Sequence, residues 1–370
     1  MTFCLIFAIL IIPDFVKAEN FVSSINLDEE YNKQLELSGA EKLKDHLPPE
    51  VLKIFENLDI SEKKPFNFFL LSPQKIFVLI VEIFKEKLKI PLKTISFVFI
   101  ILLLGALLGC FDISDEIEHV FGAVSVCFAA INIISPILNS ISQVFTVFHC
   151  ASGFILCFAP IITGISIVTG QRIMAVSYAS CVIYTWQTLF KHAGQLLEPF
   201  LKMIIGVSII SSLTERLNLS KLFEFLLKLS RWLLIIIVSI FSFVVSLQNI
   251  FASTMQNAAG KGVKLAFSFL PIVGGTLGDA AAAVAACTST LKSGVGIFGI
   301  ISVVAIFLPS IFECFIWIIS LNFCEFVGEL FGYTKMISIF KISSKTLNLL
   351  LAFLIFSLVV FIVCTAVLLR

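Results

Sequence analysis

The chain has 370 residues, of which 58% are hydrophobic and 14% charged, with a formal net charge of +1, against roughly 45–50% and 25% in soluble domains. That balance, with recurrent apolar runs of about 17–23 residues that each match a hydrocarbon core about 30 Å thick, describes an integral membrane protein. It leaves no case for nucleic acid, since no lysine/arginine cluster with interleaved aromatics appears. The ten cysteines lie mostly inside apolar runs and form no Cys-x-x-Cys pair, so neither a metal centre nor a disulfide framework is expected.

In chain order, residues 1–18 read as a signal peptide. Phe3 to Ile12 is its apolar core, and Val16-Lys17-Ala18 is a small-x-small cleavage pattern before Glu19. Residues 19–93 form an exported polar and amphipathic region. Within it Pro48-Pro49 opens a helix whose Val51, Leu52, Phe55 and Leu58 recur at helical spacing. Ser72-Pro73 starts a second helix, with Phe77, Ile80, Val81, Phe84 and Leu88 on one face and Lys75, Glu82, Lys85, Glu86, Lys87 and Lys89 on the others. Such a helix suits the membrane interface, and Pro91 is expected to end it.

Residues 94–370 read as an all-α polytopic membrane domain of about eight transmembrane helices plus a broken or re-entrant helical hairpin. The spans are Ile95–Phe111, Phe121–Leu138, Ala151–Thr169, Ile173–Phe190, Leu197–Leu213, Trp232–Phe251, Val295–Ser320 and Leu347–Leu369. Lysine and arginine mark cytoplasmic loops. The loops carrying Arg216, Lys221, Lys228 and Arg231, and Lys335, Lys341 and Lys345, are therefore expected inside. The abundant phenylalanine reads as lipid-facing bulk.

Between the sixth and seventh spans the chain stays apolar but is interrupted by Gln248, Asn249, Gln256, Lys261 and Lys264, then by Pro271, Gly274, Gly275, Gly278 and Asp279. A span that only anchors has no use for these groups, because hydrocarbon satisfies neither charges nor free backbone. Half-helices around such a break would form a polar pathway. Asp279, ahead of the alanine-rich run from Ala280 to Ala286, suits the cap of a half-helix starting at Ala280. Gly105/Gly109, Gly274/Gly278 and Gly294/Gly296/Gly299 are small-residue faces for close helix contact.

No enzyme is expected, and no cofactor. The tetrad Thr276-Leu277-Gly278-Asp279 lacks the first glycine of an intramembrane aspartyl protease, and no second intramembrane aspartate partners it. Neither His-Glu-x-x-His nor a phosphate-cradling Gly-x4-Gly-Lys-Ser/Thr occurs.

Ser246-Leu247-Gln248, the lysines that follow, Phe269-Leu270-Pro271-Ile272-Val273-Gly274 and Asp279-Ala280 together resemble the stage III sporulation protein AE family. The likeness runs from about Ile95 to the C-terminus. It implies a polytopic protein of the mother-cell-derived outer forespore membrane and a channel or export-gate subunit of the stage III A complex, supporting late forespore gene expression. The partners it implies are the ATPase and ring-forming membrane proteins of that complex, and a forespore membrane partner across the intermembrane space. The residues alone also admit an autonomous secondary transporter, although no convincing repeat relates the two halves, or a scaffold whose polar interior only packs helices.

Overall fold

A computed structural model describes residues 36–57, 73–109, 115–169, 172–184, 186, 191–213, 221–240, 243, 275–331 and 334–369. The expected signal peptide lies outside these residues. So do Gln248, Asn249, Gln256, Lys261, Lys264, Pro271 and Gly274, which carry most of the expected broken hairpin.

Every regular element among the described residues is helical. A 3-10 helix, Ala40–His46, precedes α1 (Pro49–Asn57). The chain continues through α2 (Pro73–Gly109), α3 (Asp115–Val168), α4 (Arg172–Tyr184), α5 (Lys191–Leu213) and α6 (residues 221–240). Helices α7 (Gly275–Leu330) and α8 (Thr334–Leu369) complete it.

Four of these helices, α2, α3, α7 and α8, are long and apolar enough to cross a membrane. The expected count of about eight is not reproduced among the described residues, for identifiable reasons. The second and third expected spans are one 54-residue helix, α3. Residues 139–150, expected as a break, contain polar side chains but neither glycine nor proline, and polarity alone removes no i→i−4 hydrogen bond. Pro91 likewise sits inside α2 instead of ending it, so the expected interfacial helix and first span are continuous. Of the fourth expected span the described residues include the 13 of α4 and Trp186, while 185 and 187–190 lie outside them.

One stripe of α2 faces the bundle: Lys87, Pro91, Thr94, Val98, Leu102 and Gly105, all buried or half-buried. The i, i+3/i+4 spacing places them on one side of the helix. Helices α7 and α8 form an antiparallel hairpin in which Ser344 bonds Asn322 and Gly296 abuts Leu369. Helix α3 runs antiparallel to α7, pairing Phe148 with Phe307 and Phe158 with Gly299.

The core is aromatic where these helices meet. Phe148 lies 4.7 Å from Phe353, 5.3 Å from Phe307 and 6.4 Å from Trp186, measured between ring centroids. Phenylalanine is therefore not only lipid-facing bulk. Phe77, Phe97, Phe128 and Phe315 are exposed, but Phe148, Phe154, Phe158, Phe307, Phe353 and Phe361 are buried. A phenyl ring can fill either environment, so composition could not separate the two sets.

Helix α1 forms as its prolines suggest. The Pro48 carbonyl accepts from the Val51 and Leu52 amides at 2.9 and 3.1 Å, and Pro49 needs no amide partner in the first turn. Val51 and Phe55 are buried, and Phe55 meets Phe298 of α7 edge-on at 5.5 Å.

Candidate functional site

Of the residues singled out in the broken stretch, Gly275, Gly278 and Asp279 lie on described backbone, within the first two turns of α7. Helix α7 starts at Gly275, ahead of Asp279. The side chains of these turns lie outside the described residues.

A different polar centre lies further along α7. Glu313 follows Pro309 by about one turn, with its side chain only 13% exposed. Lys87 of α2, 29% exposed, donates from Nζ to Glu313 Oε2 at 2.9 Å. Ser140 of α3 donates from Oγ to Oε1 at 2.5 Å. The Gln143 carboxamide, turned with its nitrogen toward the carboxylate, donates to both oxygens at 3.1 and 3.2 Å. Phe84 and Phe312 pack edge-on beside the pair at 6.1 Å. One carboxylate thus joins three of the four membrane-length helices.

Five other buried hydroxyls are arranged differently. Thr163, Ser166, Ser302, Thr346 and Ser357 each donate to a carbonyl four residues earlier in their own helix. A hydroxyl satisfied in this way is at rest in an apolar helix and says nothing of function. Ser140 instead reaches across to a carboxylate. Other contacts also cross between helices: Lys341 of α8 lies 4.0 Å from Glu325 of α7, Ser344 donates to Asn322 Oδ1 at 2.6 Å, and Tyr178 meets Thr365 at 3.2 Å. The last two are neutral.

Beside α3 and α5 lies a cleft of about 290 Å³ lined by His149, Ser152, Gln195 and Glu198 over Phe145, Phe148 and Trp186. Lys202 donates to Glu198 at 2.7 Å across one helical turn. A second, mostly apolar groove of about 510 Å³ lies further along the same two helices, with Ser135 and Asn139 on its wall. Among the described residues no group of three or more His, Cys, Asp or Glu side chains could hold a metal ion.

A charge inside an apolar helix is costly and marks a pathway, a relay or a structural joint. Here the carboxylate has a lysine beside it, and charge-assisted bonds are roughly twice as strong as neutral ones. The arrangement can hold α2 against α3 and α7, and it sets a polar point where the rest of each helix is apolar. Sequence reasoning missed it, though a signal existed: Glu313 is the lone charge in the expected span Val295–Ser320. Its partner was not legible, because Lys87 is 226 residues away and read as one of several solvated lysines.

Comparison with known proteins agrees with the earlier resemblance. A stage III sporulation protein AE from Bacillus subtilis (strain 168) is 23% identical over 156 residues, an alignment covering 42% of this chain and 39% of that protein. This chain therefore matches well under half the length of that curated relative. No solved structure matches. The family model described as stage III sporulation protein AE matches residues 63–370, which takes in every membrane-length helix and both partners of the Lys87–Glu313 pair. The chain belongs to the stage III sporulation protein AE family.

Proposed function

We propose that this chain is a membrane subunit of the stage III A complex, acting as part of a channel or export gate in the outer forespore membrane. Its partners on this reading are the ATPase and ring-forming proteins of that complex, with a forespore membrane protein across the intermembrane space. The observation that carries the gate over a plain anchor is Glu313. An anchor gains nothing from a carboxylate among apolar helices, whereas a polar interior needs one or more.

One observation favours a scaffold instead. Glu313 already accepts bonds from Lys87 and Ser140, as the joint of a rigid assembly would. The Glu313→Gln variant separates the two readings, since the amide retains shape and most hydrogen bonds but loses the charge. A gate predicts that the variant accumulates and co-isolates with the other stage III A proteins while spore yield falls. A scaffold predicts that spore yield follows the amount of assembled protein. Wild-type spore yield after clean deletion of the whole gene would remove the sporulation role itself.

A further inference from the structure

Helix α3 carries a stripe of polar residues on the exposed strip of its surface that lies between α5 and Glu313 of α7. Ser135, Asn139, Gln143, Thr146 and His149 are all exposed, with Asn132 and Ser142 half-buried beside them. Their spacing of three and four residues puts them on one side of the helix. From Asn132 to Gly153 the stripe measures about 32 Å at helical rise. It is bounded at both ends by exposed apolar residues: Val120, Val124, Phe128 and Ile131 before it, Leu156 and Val168 after it.

Lipid suits the two ends of this helix and not the middle. Part of the stripe is satisfied locally, since Asn132 donates to the Phe128 carbonyl and Thr146 to that of Ser142. Ser135, Asn139 and His149 have no hydrogen-bond partner among the described residues. In hydrocarbon each such group would be left unsatisfied, at a cost that bundle packing does not offset. The two grooves between α3 and α5 run beside the stripe, and they share Ser135, Asn139 and His149 with it. The carboxylates that border it, Glu313 and Glu198, each have a lysine at hydrogen-bond distance, so neither leaves an uncompensated charge on the wall.

We propose that this exposed strip of α3, from Asn132 to Gly153, is the wall of a water-filled path for small hydrophilic solutes in the assembled membrane complex. The path admits solutes without regard to the sign of their charge. The proposal rests on the channel reading above and deepens it by naming the surface and the solute class. Hydroxyls and carboxamides both donate and accept, so they replace a solute's hydration without selecting cation or anion.

The test is thiol labelling of single-cysteine substitutions in membranes from sporulating cells, with labelled peptides located by mass spectrometry so that the native cysteines can stay. Asn139→Cys and Thr146→Cys represent the stripe; Val120→Cys and Val124→Cys represent the apolar flank. The probes are methanethiosulfonates carrying a trimethylammonium or a sulfonate group. The stripe positions should react at least about tenfold faster than the flank positions, since hydrophilic probes do not partition into hydrocarbon. Both probes should act at rates within about threefold of each other, given the compensated charges. Equal, fast labelling at all four positions would show a surface outside the membrane and overturn the proposal. So would stripe cysteines as slow as the flank, or Thr146→Cys closing a disulfide between two copies, which would mean packed helices in place of water. A preference of one probe over the other by more than about tenfold would overturn the charge-neutral wall. Spore yield of the same strains is scored separately. Failed labelling with normal sporulation sinks the path and leaves the sporulation subunit standing.

Discussion

At the scale of single residues, the Lys87–Glu313 pair makes the most exacting claim. Removing one partner of a fully buried pair costs about 3–5 kcal/mol, and of an exposed pair about 0–1. With 29% and 13% of the side chains exposed, Lys87→Met or Glu313→Leu alone should cost on the order of 1–3 kcal/mol. The double variant Lys87→Met/Glu313→Leu leaves no orphaned charge and should recover part of that loss. Thermal unfolding of the detergent-solubilised protein measures all three; a double variant no better than the worse single one would mean that the two charges are not coupled. Glycine 299 makes a separate claim. A Cβ there would run into the ring of Phe158, itself fully buried, whereas one at Gly296 would meet only the flexible end of Leu369 near the C-terminus. Gly299→Ala should therefore lower stability by about 1–3 kcal/mol, as overpacking does, and Gly296→Ala by much less. Equal melting temperatures for the two would show that Phe158 can move aside.

At the scale of elements, the aromatic joint around Phe148 decides whether α3, α7 and α8 form one core. Phe148→Ala should cost about 3–5 kcal/mol, while Phe128→Ala on the exposed side of the same helix should be close to neutral in detergent. Comparable losses of folded protein in the two variants would place both rings in the same surroundings, contrary to the packing of Phe148 against Phe307 and Phe353. The helices themselves were legible in the sequence, because apolar runs of membrane length leave no alternative to helix. The α1 start at Pro48-Pro49 was legible too. Helix continuity was not: Pro91 and the polar residues from Asn139 to Gln143 read as breaks, yet packing holds the chain helical through both. The site was half legible. Glu313 was missed although it is the lone charge in its apolar run, and which donors approach it depends on how α2 and α3 pack on α7, which no local pattern encodes. The residues that drew attention first, from Gln248 to Gly274, lie outside the described residues.

At the scale of the whole molecule, the bundle has two distinguishable ends. The segment from Ala40 to Asn57 packs at one of them, where Phe55 touches Phe298 and Leu37 and Ser38 line a pocket with Gly164, Thr288 and Leu291. The turn between α7 and α8 lies at the other. From Phe298 to Leu330 along α7 is about 48 Å at helical rise, which exceeds the roughly 40–45 Å of a bilayer with its headgroups. The two ends should therefore lie on opposite sides of the membrane. Lysine near the ends of membrane helices favours the cytoplasm, and Lys335, Lys341 and Lys345 lie in about the first three turns of α8, at the turn end. That choice places the Ala40–Asn57 segment outside. Cysteines at Ser38 and Lys341 test this directly with an impermeant maleimide, applied to intact cells before engulfment encloses the membrane. Ser38→Cys should label in intact cells, and Lys341→Cys only after permeabilisation. The reverse pattern would invert the orientation while retaining the two-ended bundle. Labelling of both from the same side would mean that α7 does not cross the bilayer as one helix, and its path would have to be redrawn around Pro309.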